Sequence, residues 1–315
     1  MKKPIIVIVS TLLLLSVFRY AYNYHLPKKK YPGIPTDNNN KKSESSNIVG
    51  ENSGSVSDKS ATDPQKESAI VFSDDFSKSG TFEEAGSMNE SASKDWWVNS
   101  GAFFNVKNGV GMTLAGDLAK NDKWQKEYEK YDPDETDKGI HPQNIFRLVL
   151  KSKWKNLRQE SYCKIDRYII SDSENRSESN GLLLFNRYVD ENNLYYTGVR
   201  VDGTVVIKKK IGGKYYTMAQ KVFYPGRYDR KNSPNLLPVG KWIGIRSEVF
   251  DNPDESVSIR IYIDGNRSGD WKLALTADDN GKGFGGAAIM NSGYAGIRTD
   301  FMDAEIDDYR IEEIK

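Results

Sequence analysis

The chain has 315 residues, with 45 Lys and Arg against 44 Asp and Glu and a formal charge of +1. So even a balance argues against a general nucleic-acid binder, which needs a basic excess. A single cysteine, Cys163, excludes an internal disulfide and a thiolate metal cluster.

The first 24 residues open with Lys2 and Lys3 and run without a charge from Ile5 to Phe18. That run is short for a spanning helix, which needs about 20 residues. Continuing to Tyr24 reaches spanning length if Arg19 snorkels and Tyr20, Tyr22 and Tyr24 lie among the headgroups. No Ala-x-Ala site follows. Residues 1–24 are therefore read as an uncleaved signal anchor or transmembrane helix, with the body outside the cytoplasm. Cleavage would make the protein secreted. Residues 25–67 are rich in Ser, Asn, Lys, Asp, Pro and Gly. They have too few large apolar groups to offset their ordering entropy, which predicts a disordered linker.

Residues 68–315 read as one all-β domain. In "SVSIRIYIDG", Val257, Ile259, Ile261 and Ile263 share one face and Ser258, Arg260 and Tyr262 the other, and Asp264-Gly265 offers a tight turn. "KWIGIRSEVF" precedes it with Ile243, Ile245 and Val249 in phase, joined by a "DNPDES" loop. Upstream, Asp202-Gly203 and Gly212-Gly213 punctuate three further strands. Strands at this spacing predict a sandwich or barrel. Residues 116–143 form a long polar insertion, which would either cover the binding face or carry a short helix through "KWQKEYEKY". Cys163 lies in a strand-like stretch and reads as a small buried hydrophobe. His25 and His141 fall in the linker and the insertion, with no catalytic motif around them.

"GLLLFNRYVDENNLYYTGVRVDGTVVIKKKIGGKYYTMA" and "GKWIGIRSEVFDNPDESVSIRIYIDG" resemble successive parts of concanavalin A-like, laminin G-like jelly rolls. "VFSDDFS" and "GYAGIRTDFMDAEIDDYRI" are similar to the opening and closing strands of that superfamily. The resemblance covers about residues 70–315 and implies an all-β, two-sheet antiparallel jelly-roll sandwich behind the N-terminal helix. It implies little about function, because lectins, glycosidases, lyases and adhesion modules share the fold.

Two site readings follow from the resemblance. Glu305 and Asp307 match the first two places of a jelly-roll hydrolase's carboxylate strand, but the third place is Tyr309 or Arg310, and Glu312 comes too late. Retaining hydrolysis needs two carboxyls about 5 to 5.5 Å apart, so no catalytic residue is assigned. Jelly rolls of this type often hold a structural calcium ion where first and last strands meet, and Asp75 and Asp307 are the metal candidates. Solvated turn carboxylates are the competing reading. "TADDNGKGFGG" places Asp278, Asn280 and Gly283 like part of a calcium loop, but Lys282 stands where a carboxylate is needed and Ile289 where the bidentate Glu would be. It reads as a glycine-rich loop.

The surface chemistry expected to matter is aromatic and basic. Arg187, Tyr196, Arg200, Lys208 and Lys210 lie on strands that should be neighbours, with Lys208 and Lys210 on one face and Lys209 on the other. They are the candidate ligand-binding residues, suited to a glycan bearing uronates or sulfates. A solvated strand edge guarded by lysines is the competing reading. By residue type, Arg147, His141 and Tyr195 or Tyr196 also match the roles in a polysaccharide lyase. The expectation is a membrane-tethered, extracytoplasmic carbohydrate-binding domain. A glycan-active enzyme of the same fold (lyase or hydrolase) and a protein-binding adhesion module are the alternatives.

Overall fold

The structure, a computed structural model, describes residues 71–315, so the expected anchor over 1–24 and the first three residues of the expected domain, 68–70, lie outside the described residues. The expected linker over 25–67 lies outside them too.

Strands form because apolar and polar side chains alternate with period two. In β13 (Val257–Asp264), Val257, Ile259, Ile261 and Ile263 are buried, whereas Ser258, Arg260 and Tyr262 keep contact with solvent. β12 (Trp242–Asp251) pairs with it antiparallel, Val249 opposite Ile259 and Ile245 opposite Ile263. Both strands send their apolar side chains into one core.

Two antiparallel sheets enclose that core. The nine-stranded sheet runs β14 (Lys272–Asp279), β13, β12, β7 (Leu157–Tyr168), β16 (Met302–Glu313), β5 (Val110–Thr113), β4 (Phe103–Lys107) and β2 (Gly80–Glu83). β1 (Val71–Asp74) also pairs with β16, Asp74 opposite Tyr309, so the opening and closing strands of the described domain meet as expected. The seven-stranded sheet runs β11 (Lys214–Val222), β10 (Thr204–Ile211), β9 (Asn193–Arg200), β8 (Gly181–Asp190), β15 (Gly293–Asp300), β6 (Ile145–Trp154) and β3 (Trp96–Ser100). Cys163 is buried in the core between the sheets, where burial pushes its thiol up to about 12. An inert thiol follows.

Turn chemistry closes the hairpins. Gly212 and Gly213, with φ of 54° and 80°, form a two-residue connection between β10 and β11, as their left-handed freedom allows. Asp264-Gly265 behaves differently. The Asp264 carboxylate accepts from the Asn266 and Gly269 backbone N–H groups and from Tyr162 Oη, and so organises a longer loop before β14.

The insertion is ordered by its own contacts. α1 (Lys123–Tyr131) matches the expected helix, and its N-cap Asp122 accepts from Trp124 N at 2.7 Å. Tyr128 accepts from Gly101 N, which fastens the helix to the turn after β3. His141 bridges two carboxylates, Nδ1 to Asp137 at 2.7 Å and Nε2 to Asp117 at 2.9 Å. Asp117 and Asp137 in turn bind Arg167 and Ser171 at the end of β7 and just beyond it. These contacts place the insertion against one end of the sandwich.

Candidate functional site

The outer face of the seven-stranded sheet carries a second apolar cluster, separate from the core, that includes Trp97, Val149, Leu183, Phe185, Tyr188 and Tyr196. Strand register sets charges among these groups. Tyr196 lies opposite Phe185 on one side and Lys208 on the other, and Lys210 lies opposite Tyr215. Arg298 of β15 lies opposite both Leu183 of β8 and Arg147 of β6. Four of the expected ligand-binding residues, Tyr196, Arg200, Lys208 and Lys210, thus belong to one face.

Within this face the Tyr196 and Tyr215 rings stack with centroids 6.0 Å apart. Arg298 donates to Tyr196 Oη at 3.2 Å and to Asp300 at 2.7 Å. The Lys210 ammonium sits 4.7 Å from the Tyr215 ring centroid. Burial pushes the Tyr215 phenol up, but Arg298 and Lys210 outweigh it, and the net shift is downward. Tyr196 moves the other way, raised chiefly by burial. Lys208 is only 8% exposed. Its ammonium is lowered to about 8, first by burial and then by the nearby Arg200 cation. Arg200, at the rim, is bound by Asp202 at 2.7 Å, by Glu178 O and by Gln220.

Arg187 does not belong to this face. Its φ of 49° lies within a bulge where the β8–β9 register slips between Asn186 and Asp190. The slip leaves Phe185 and Tyr188 both outward and turns Arg187 inward, fully buried. There it pairs with Asp251 at 2.8 Å and donates to the Lys155 and Ile289 carbonyls. It is a structural clamp and cannot meet a ligand on the outer face. Lys209 also points inward, opposite in parity to its neighbours, and pairs with Asp279 at 2.7 Å with both side chains fully buried. The same ammonium donates to Gly286 O and Ala287 O, so it holds the glycine-rich loop that follows β14. Tyr195, one of the two tyrosines considered for a lyase, donates to Asp279 in the interior. Arg298 and Tyr215 were not anticipated as site residues. Tyr215 could have been found by counting back across the Gly212-Gly213 turn from Lys210. Arg298 offered no local signal.

The nine-stranded sheet's outer face is different, because its charges are matched across strands. Lys164 pairs with Glu305 at 2.5 Å, Arg267 with Asp307 at 2.5 Å, and Arg158 with both Glu248 and Glu312 at 2.7 and 2.8 Å. Arg246 pairs with Glu160. Glu305 and Asp307, which matched part of a hydrolase motif, are engaged by these cations.

The calcium candidates fit an ion poorly. Asp307 already faces the Arg267 guanidinium, and Asp75 accepts from Ser77 N at 3.0 Å in its own turn. The neighbouring Asp74 is used by Phe76 N and Trp96 Nε1. Calcium asks for about six to eight oxygens. Among the described residues no group of three or more His, Cys, Asp or Glu is placed to hold a metal.

No protein-family model matches the chain, and no curated protein does. Solved structures similar to it include a carbohydrate binding module, CBM66, of Bacillus subtilis (13% identity, TM-score 0.43, covering 69% of this chain and 95% of that one). A variant of the GH43 protein BlXynB of Bacillus licheniformis is 12% identical with a TM-score of 0.44, over 77% of this chain and 39% of that one. The β-glucanase of Bacillus licheniformis is 10% identical with a TM-score of 0.42, over 80% of this chain and all of that one. At these values the likenesses carry no conclusion about superfamily, ligand or activity.

Proposed function

We propose that the domain binds an acidic polysaccharide on the outer face of the seven-stranded sheet, without covalent chemistry, from a membrane-tethered position outside the cytoplasm. The observation that carries this reading is a surplus of cations around a stacked tyrosine pair. Arg147, Arg298, Lys208 and Lys210 share the face with Tyr196 and Tyr215, and Asp300 is bound to Arg298. Aromatic faces offer sugar rings an apolar platform, and the cations offer charge-assisted hydrogen bonds to carboxylate or sulfate. The tether is supported by the apolar run from Ile5 to Phe18 behind two lysines.

Titration calorimetry of the detergent-solubilised full-length protein against acidic and neutral polysaccharides tests the reading. A Tyr196→Ala/Tyr215→Ala variant is expected to lose binding, whereas Trp242→Ala, on the opposite sheet, retains it. The reverse pattern places the ligand on the other face and rejects the proposal.

The placement of Tyr215 beside Lys210 and Arg298, cations that favour its ionised form, favours a second reading, β-elimination. Here Tyr215 as phenolate takes the proton α to a uronate carboxylate. The released electron pair forms the C4–C5 double bond of the ring, the C4–O glycosidic bond breaks, and the departing oxygen takes back the proton that the Tyr215 oxygen has just accepted. A steady rise in ultraviolet absorbance on uronate polymers, abolished by Tyr215→Phe, would replace the binding-only reading.

A further inference from the structure

Most cations on the outer face of the seven-stranded sheet are already satisfied. Arg298 has Asp300 at 2.7 Å, Arg200 has Asp202 at 2.7 Å, and Lys210 rests on the Tyr215 ring. Lys151, on the same face of β6, donates to the Ser91 and Ser93 carbonyls. Two groups stand apart. Lys208 is more than nine-tenths buried, and its ammonium reaches only Ser179 O, at 3.5 Å. Arg147 keeps its buried Nε without a hydrogen-bond partner. Neither makes an ion pair among the described residues: Lys208 is desolvated beside an Asp300 already bound to Arg298, and half-buried Arg147 has a buried N–H unmet, so each is poised to gain from an anion.

Lys208 lies on β10 and Arg147 on β6, with β9, β8 and β15 between them. Four strand spacings of about 4.8 Å separate their backbones by about 19 Å, which is more than one sugar ring. Between them Tyr196, Phe185 and Leu183 are apolar and themselves buried, 3%, 0% and 4% exposed, and Arg298 is held by Asp300.

We infer that Lys208 and Arg147 are two separate anion-receiving positions, so that the ligand is an oligosaccharide with recurring carboxylate or sulfate groups rather than a sugar with one charge. This rests on the glycan reading above. It also makes binding sensitive to alkali. The groups facing Lys208 are Tyr196 and Arg200 of β9, Tyr215 of β11, Lys210 of β10, and Arg298 and Asp300 of β15. The Lys208 ammonium, lowered to about 8, is charged below that pH and neutral above it, so affinity falls as pH rises from 7 to 9. An anion seated there favours the protonated form and moves the fall upward.

The test uses the full-length chain with hexasaccharides of polygalacturonate, alginate and heparin, each beside its carboxyl-reduced or desulfated counterpart, and with monomeric galacturonate. A charged hexasaccharide is expected to bind about ten- to hundredfold more tightly than its neutral counterpart and the monomer. Lys208→Gln and Arg147→Gln should each lose about that factor. Lys208→Arg should hold its affinity at pH 9, where the native chain loses it. Should Lys208→Gln fail to fold, the pH comparison with Lys208→Arg decides. Neutral and charged hexasaccharides binding equally, or a pH profile unchanged by Lys208→Arg, would overturn the inference and leave the glycan reading standing. If no hexasaccharide of either kind binds, the glycan reading falls and this inference with it.

Discussion

The Lys209–Asp279 pair gives the sharpest test of how this sandwich is held together. Both side chains are fully buried, 2.7 Å apart, and the ammonium also serves the Gly286 and Ala287 carbonyls. Lys209→Met keeps most of the side-chain volume and removes all three interactions. It leaves Asp279 buried with Tyr195 Oη and Gly281 N as its remaining donors. Removing one partner of a buried pair costs about 3–5 kcal/mol. At about 2–4 °C per kcal/mol for a domain of this size, the melting temperature should fall by about 6–20 °C. Circular dichroism during heating, checked by urea unfolding, measures it. The double variant Lys209→Met/Asp279→Asn removes the stranded charge and should recover a substantial part of the loss. A single variant that melts with the native chain, or a double variant no better than the single one, would refute the reasoning.

The insertion should loosen in acid. Hydrogen bonds from Arg167 and then His141 hold Asp117 below its usual range. At Asp137 burial pushes the carboxyl up, but bonds from His141, Ser171 and Asn144 bring the net shift downward. Carboxylates with depressed folded pKa values contribute stability that is present above their ordinary value of 3.8 and is lost as pH falls through the folded one. Hydrogen-exchange protection over residues 117–144, taken relative to the intrinsic exchange rate at each pH, should therefore fall below about pH 4, and Asp137→Asn should blunt that dependence. Gly139→Ala should destabilise the same segment by more than about 1 kcal/mol in urea unfolding. Its φ is 81°, and the added Cβ would lie 2.1 Å from the Gln125 carbonyl oxygen. Because Arg267 occupies Asp307, millimolar calcium or a chelator should leave the melting temperature unchanged. A calcium-dependent rise of about 5 °C or more would show a real site.

Local periodicity made much of the fold legible. The four inward residues of β13, the Gly212-Gly213 hairpin and the α1 segment could all be read from neighbouring residues, because each depends on a short-range rule. The split of Lys209 from Lys208 and Lys210 is the same rule applied once more. Arg187 failed because a bulge inserts residues without leaving a mark in the alternation, and one slip reverses the face of the next side chain. The meeting of Arg147 with Arg298 was illegible for another reason. They are 151 positions apart and become opposite only because β15 inserts between β8 and β6. A crossover of that kind is set by the whole sheet and by no local pattern.

The two outer faces also explain why the carboxylates of β16 attract attention without being a site. Glu305, Asp307 and Glu312 each lie across from a cation on β7 or a nearby loop, and each is consumed by it. Such partly exposed pairs add little stability individually, about 0–1 kcal/mol. Their collective effect is to cancel the charge a ligand would sense. The aromatic rings there are engaged as well, with Arg267 4.7 Å from the Trp242 centroid and Arg246 4.2 Å from that of Trp271. On the seven-stranded sheet the cancellation is incomplete, since Asp300 and Asp202 are committed to Arg298 and Arg200 while Lys208 and Arg147 keep their charge. On the proposed reading an acidic polysaccharide would gain on the seven-stranded face only, and raising the salt concentration should weaken that binding.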